Sequence, residues 1–320
     1  MSYLIGTDEA GYGPNLGPLV IAASVWRVRE EGGAGDLYEL LREAVCSTAG
    51  QASKTRLAIA DSKQLYNSAA GIDALERGVL ATLGLLDASP RTCVDLWRQL
   101  APNDCHQFDN LPWHNGWNHE LPTVCERTDL AAIIESLGTV CSATGIELVA
   151  MQATAVFPAR FNALVATHGS KGEALSRTTL ELIGRCLQSL EPEPVTIICD
   201  KHGGRARYQR LLQQQFPEPL IEVVGEGREE SSYRWGPAES RVQMHFRAGG
   251  ESFLPAALAS MTAKYLRELA MGAFNAFWQT RINGLKPTAG YPLDARRFKH
   301  EIAAVQTALG ISDHLLWRQR

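Results

Sequence analysis

The chain has 320 residues, 45% of them hydrophobic and 21% charged. That composition excludes a disordered chain and leaves room for one large or two ordinary domains. A formal net charge of −4 excludes a uniformly basic nucleic-acid binder but not a local basic face, since residues 201–320 carry a balance of +6 and residues 1–200 one of −10. No apolar run approaches the roughly 18–20 residues that span a bilayer, and the start of the chain has no basic stretch followed by a long apolar one, so neither a membrane nor a secretory route is expected. Seven Cys without a Cys-x-x-Cys pair fit a reducing cytoplasm better than a disulfide framework.

In chain order, Tyr3–Asp8 and Leu19–Val28 read as buried strands joined by a Gly/Pro turn. Residues 36–44 read as a helix, 60–65 as a polar loop and 72–86 as a second helix. Residues 89–126 stand apart: three Cys, three Trp, three His and several Pro make them an irregular insertion. A helix is expected over 130–143, a strand from Glu147, a long amphipathic helix over 173–190, and a short β-branched strand over 195–199 that ends at Asp200. A helix over 205–215, strands over 221–224, 231–235 and 241–246 (the last two as a hairpin), and helices over 256–278 and 295–309 complete the chain. Alternating strands and helices predict an α/β fold with a mixed sheet flanked by helices. The division follows as a core over 1–250, with the insertion at about 89–126, and a helical C-terminal part over 251–320.

Four carboxylates sit at the ends of these elements. Asp8 and Glu9 close the first strand, Asp200 closes the strand over 195–199, and Glu251 precedes the helix that begins near Pro255. Strand ends beside helix starts are where α/β proteins place ligands. Acidic groups at the end of a buried strand are costly unless a cation or another partner compensates them. Each also has a plainer reading: Asp8 and Glu9 as an ordinary acidic turn, Asp200 as a helix cap, and Glu251 as a favourable charge near a helix start. Adjacent strand residues point to opposite faces, so Asp8 and Glu9 share one site only where the strand ends or turns.

Five segments in order resemble the motifs of the type 2 ribonucleases H, the ribonuclease HII/HIII group. They are Gly6-Thr7-Asp8-Glu9-Ala10-Gly11-Tyr12-Gly13-Pro14 with Gly17-Pro18, then Asp61-Ser62-Lys63-Gln64-Leu65, and the strand ending in Asp200. Gly250-Glu251-Ser252-Phe253-Leu254-Pro255-Ala256 with Ala259-Ser260 and Ala263-Lys264 follows, and then Gly290-Tyr291-Pro292. The resemblance implies a ribonuclease H-like fold and metal-dependent endonucleolytic hydrolysis of the RNA strand of RNA–DNA hybrids or ribonucleotide-containing duplexes. Two divalent cations about 3.5–4 Å apart would activate a water and stabilise the leaving oxygen. It implies Asp8, Glu9, Asp200 and Glu251 as catalytic metal ligands, and an oxygen-only set suits Mg²⁺ or Mn²⁺ better than zinc. Gly11, Tyr12, Gly13, Ser62, Lys63 and Tyr291 would contact the substrate, with Tyr291 stacked on a sugar and the glycine turn at the ribose 2′-hydroxyl. Lys201 and Arg205, with Arg207 and Arg210, would add a basic ridge for phosphates. A monomeric cytoplasmic enzyme is expected.

Three positions depart from the family pattern. Tyr12 replaces an Arg, and a phenol lacks a guanidinium's charge and fork of donors. Glu251 stands where Asp is usual, and Lys201-His202 follows Asp200 where Gly is usual. These departures leave room for a shifted specificity toward structured or branched nucleic acid, or for a catalytically silent nucleic-acid-binding relative. In the insertion, Cys105, His106, His114, His119 and Cys125 match no familiar zinc spacing, and an aromatic miniature core is expected there instead.

Overall fold

The computed structural model describes residues 1–29, 36–66 and 71–319, and of Glu251 the backbone alone. The strands are β1 (Ser2–Ala10), β2 (Leu19–Val28), β3 (Val45–Cys46), β4 (Leu57–Ala58), β5 (Ile146–Val156), β6 (Val195–Asp200), β7 (Glu222–Glu226), β8 (Glu230–Trp235) and β9 (Val242–Arg247). The helices are α1 (Leu37–Leu40), α2 (Ser62–Leu65), α3 (Asp73–Gly84), α4 (Cys93–Leu100), α5 (Cys105–Asp109), α6 (Arg127–Thr144), α7 (Pro158–His168), α8 (Lys171–Gln188), α9 (Gln209–Gln215), α10 (Leu254–Gln279), α11 (Pro292–Ala308) and α12 (Asp313–Leu316).

Seven strands form one mixed sheet in the order β5-β2-β1-β6-β9-β8-β7, the α/β architecture that the alternation of elements predicts. β2 runs antiparallel to β1 and to β5, β6 runs parallel to β1 and to β9, and β8 runs antiparallel to β9 and to β7. The apolar runs of β1 and β2 are continuous because both faces of the sheet are covered. Period-two alternation sorts their side chains. Leu4, Val20, Ala22 and Trp26 enter the core under α10 and α3, while Tyr3, Ile5, Leu19, Ile21 and Val25 enter the core under α8 and α9.

Helix α10 fixes the geometry of the site end of the sheet. Its N-terminus, with Pro255 in the first turn, where a missing N–H costs nothing, lies flush on β1 at Gly6. A Cβ at Gly6 would fall 2.0 Å from the Ala256 nitrogen, so only glycine admits this approach. From the neighbouring strand Ser24 Oγ donates to the Pro255 carbonyl at 2.8 Å, and Trp26 Nε1 donates to Ser24 Oγ at 3.0 Å.

Residues 89–126 are more regular than composition suggests. They contain α4 and α5 and belong to the main core. Trp97, Phe108 and His114 pack together against Phe157, and Trp113 meets Phe274 of α10 edge-on at 5.1 Å. Two buried carboxylates pin the segment. Glu76 accepts from Thr123 N, Thr123 Oγ1, Val124 N, Cys125 N and Tyr265 Oη. Asp104 accepts from Thr154 Oγ1, Ala155 N and Arg160 Nη1.

Two further differences from the sequence reading have local causes. The polar loop at 60–65 closes into α2 because the Asp61 side chain accepts from Lys63 N and caps it. The helix expected from residue 205 begins at Gln209, since Gly203-Gly204 opens a turn with Gly203 at φ +61°. Helix α7 and the short pair β3–β4 were not foreseen.

Candidate functional site

Strands β1 and β6 run side by side until Thr7 pairs with Cys199, and their next residues are Asp8 and Asp200. β1 itself continues to Ala10, paired only with β2, so its β6 side opens at Asp8. Asp8 and Glu9 are both partly buried there. Burial pushes the Asp8 carboxyl up to about 7, and the Asp200 charge adds to the rise. Hydrogen bonds from Ser260 and from the Glu9 backbone, and the Lys63 ammonium, oppose it. Burial, then the charges of Asp8 and Asp200, push Glu9 up to about 8 against Lys63. Asp8, Glu9, Asp200 and Lys63 thus form one electrostatic group.

The fourth carboxylate enters by its backbone. The 3-10 turn Gly250–Ser252 lies against the end of β6, where a Cβ on Gly250 would meet the Asp200 nitrogen at 3.2 Å. The Glu251 side chain lies outside the described residues. Among the described residues no three His, Cys, Asp or Glu close into a ready metal cage.

Ser260, on the second turn of α10, binds the pieces together. Its hydroxyl meets Asp8, lies 3.0 Å from Ser62 Oγ and 3.4 Å from Asp61 Oδ1, and accepts from Ser62 N at 3.3 Å. Ser62 is therefore a buried link between α2 and α10, while Lys63 extends from the same helix into the field of Asp8 and Glu9.

The turn after β1 is held from beneath. Gly11 sits at φ +90°, where a Cβ would fall 2.5 Å from Arg267 Nε and 2.6 Å from the Pro18 carbonyl. Arg267, a buried residue of α10, donates to the carbonyls of Ala289 at 2.9 Å and Leu16 at 3.5 Å. It joins this turn to the one that presents Tyr291. Asn15 N donates to the Gly290 carbonyl at 2.8 Å, and the Tyr291 ring, 57% exposed, comes within 3.6 Å of a Cβ placed on Gly13. Arg318, also buried, donates to the Pro14 carbonyl and exchanges backbone and side-chain bonds with Asn15.

Tyr12 lies against the start of α8, its hydroxyl 3.5 Å from a Cβ placed on Gly172. Lys171 Nζ lies 4.5 Å from its ring centroid. Burial and the Glu9 charge push its phenol up, while Arg205 opposes them.

Other expected site residues are held by contacts within the protein. Lys201 Nζ donates to the Gly227 carbonyl at 2.7 Å, Ser231 Oγ at 3.2 Å and the Arg205 carbonyl at 3.4 Å. Arg205 donates to Glu173 at 2.8 Å. His202 is buried against Tyr208 and Phe246 with Nδ1 2.9 Å from Ser176 Oγ, and burial drives its pKa down to about 3. Lys264 pairs with Glu268 at 2.6 Å beneath the Tyr66 ring. Ser260, Arg267 and Arg318 were not among the expected site residues. For the first two a signal existed: Ser260, Lys264 and Arg267 recur at i, i+4 and i+7 on one helix face.

No protein-family model matches the chain, and no curated protein matches it. Among solved structures it is similar to ribonuclease H2 from Pyrococcus horikoshii OT3, with 17% identity and a TM-score of 0.47 over 98% of this chain and 92% of that one. It is also similar to the PCNA:RNase HII complex from Archaeoglobus fulgidus, with 15% identity and a TM-score of 0.42 over 99% and 94%. A third is Bst-RNase HIII in complex with Mn²⁺, with 14% identity and a TM-score of 0.40 over 99% of this chain and 65% of that one. At these identities the likenesses bear on no residue of the site.

Proposed function

We propose that the protein is a divalent-metal-dependent endonuclease that hydrolyses the RNA strand of RNA–DNA hybrids. One observation carries the proposal. Asp8 and Glu9 meet Asp200 at the open end of two parallel strands with their carboxyls pushed up to about 7 and about 8. Such a group is short of positive charge, and its oxygen-only donors fit hard cations. Asp8, Glu9, Asp200 and Glu251 would hold Mg²⁺ or Mn²⁺. The bound ions would supply Lewis-acid activation of a water and stabilisation of the leaving oxygen.

The chain's own residues do the rest. Lys63 holds a phosphate oxygen as a point charge. Backbone N–H groups of the Gly11–Gly13 turn approach the ribose 2′-hydroxyl, the group that distinguishes RNA from DNA. Tyr291 stacks on a sugar beside them. Ser62 and Ser260 keep Lys63 and Asp8 in register. All seven cysteines are free thiols, in keeping with a cytoplasmic enzyme, and no helix among the described residues is long and apolar enough to cross a membrane.

A second reading is a nuclease of shifted specificity toward structured or branched nucleic acid. It draws on Tyr12, whose ring turns toward Lys171 in place of a guanidinium at that position. One set of incubations separates the readings: a hybrid, a duplex with a single ribonucleotide, and linear and branched DNA, each with Mg²⁺, Mn²⁺ or EDTA. Metal-dependent cleavage confined to ribonucleotides supports the first reading. Cleavage of branched DNA supports the second. No cleavage with either metal overturns both.

A further inference from the structure

A basic surface lies across Tyr12 from the carboxylates, built around Glu173 in the first turn of α8. Arg205 Nη2 donates to Glu173 Oε2 at 2.8 Å, and Arg210 Nη2 and Arg177 Nη2 donate to its other oxygen at 3.0 and 3.2 Å. Arg177 also reaches Gln214 Oε1 at 2.7 Å. Lys171, two residues before Glu173, places its ammonium over the Tyr12 ring. Three guanidinium groups therefore surround one carboxylate, and two of them are more than their partner needs. The Glu173 side chain is 9% exposed and that of Arg210 is 72% exposed, so the anion is inside and a cation faces solvent.

We propose that Lys171, Arg205 and Arg210 form a track for the phosphate backbone of a duplex nucleic acid, running from Tyr12 away from the carboxylate site. The inference rests on the proposed nuclease reading and adds a binding surface to it. Three features support a track over a plain ion-pair network. The surplus of positive charge is local, in a chain whose net charge is −4. A backbone binder needs such a local surplus. Glu173 fixes the guanidinium groups before a ligand arrives, so less rotamer freedom is lost on binding. Finally, Tyr12 links track and site, because it feels both the Glu9 and the Arg205 charges.

The test is equilibrium binding in EDTA, which removes cleavage from the measurement. Anisotropy of a labelled RNA–DNA hybrid and of a DNA duplex of equal length is followed between about 50 and 200 mM NaCl, the range over which backbone contacts are resolved. In the Lys171→Ala/Arg210→Ala double variant the slope of log affinity against log salt falls by about 2, about 1 for each lost phosphate contact, equally on both duplexes. Lys171→Arg/Arg210→Lys keeps the wild-type slope. Arg210→Glu, a single change at a largely exposed side chain, lowers the slope by about 1 or more if the double variant does not fold. A wild-type slope in the folded double variant or in Arg210→Glu overturns the track while leaving the nuclease reading intact. A reduced slope together with no cleavage under any metal keeps the track and sinks the nuclease. A wild-type protein that binds neither duplex at low salt overturns both.

Discussion

Asp8→Asn is expected to make the metal-free protein more stable at alkaline pH while abolishing turnover. The Asp8 carboxyl moves from an ordinary 3.8 to about 7 on folding, first through burial and also through the Asp200 charge. A carboxyl whose folded pKa is raised favours folding while protonated. That contribution is whole below about pH 4 and is lost as the pH rises through about 7. At about 1.4 kcal/mol per pKa unit the full loss is about 4 kcal/mol. The amide of Asn keeps its shape and a bond to Ser260 but carries no charge, though it still bears a polar desolvation cost. The stability of the variant relative to wild type should therefore rise by about 3 kcal/mol between pH 4.5 and pH 8.5. Urea unfolding in EDTA at the two pH values, with unchanged m, measures this difference. Saturating Mg²⁺ should reverse the order, adding about 2.7 kcal/mol to wild type at a hundred times the dissociation constant and little to the variant. A stability difference that does not change with pH would refute the electrostatic grouping of Asp8 with Glu9 and Asp200.

Gly6→Ala should destabilise the protein by about 3 kcal/mol or more, since its new methyl would fall on the backbone of α10; denaturant unfolding reads the loss, and a wild-type midpoint would exclude the close approach. Ser260→Ala leaves Ser62 N without its acceptor and Asp8 without a bond that lowers its pKa. It should cost about 1–3 kcal/mol, and the acid limb of the pH–rate profile should move to higher pH. His114 has no hydrogen-bond partner at either ring nitrogen, and burial drives its pKa from 6.5 down to about 3. Its contribution is present above about pH 6.5 and is lost as the pH falls toward 3, opposite in sign to Asp8. His114→Phe should therefore gain on wild type progressively between pH 7 and pH 4 in thermal melts, and parallel curves would contradict that.

Much of this arrangement is legible in the sequence because it depends on local pattern. The runs that became β1, β2 and β6 are apolar and β-branched, and Asp8, Glu9 and Asp200 stand at the open end of that sheet. The Asp61-Ser62-Lys63 segment packs against Ser260, and the Gly290-Tyr291 turn against Gly13. What escaped depends on distance in the chain. Arg318 reaches Pro14 across 304 positions, and nothing near either residue announces the contact. Arg267 reads as one more charge on a long helix until the Gly11 turn is laid over it. The insertion misled because its Trp, His and Cys suggest a separate unit. Glu76 instead anchors its backbone, and its own Asp104 accepts from Ala155 N of β5; both acids look like surface residues in the sequence.

The buried acids themselves separate scaffold from site. Burial raises the pKa of Glu76, but bonds from Thr123, Cys125 and Val124 outweigh it and hold the carboxyl below its ordinary range. Burial raises Glu173 likewise, and Arg205, Arg210 and Arg177 outweigh it. These two carboxylates are charged, satisfied and structural. At Asp8 and Glu9 the same burial is not outweighed: the Ser260 hydroxyl and the Lys63 ammonium only moderate it, and each carboxyl adds to its neighbour's difficulty. Evolution had the means to satisfy an acid in this fold, as α3 and α8 demonstrate, yet the end of β1 was left short of positive charge. A fold carries such a deficit where a ligand removes it. A divalent cation is a ligand that would return both carboxyls to their charged forms.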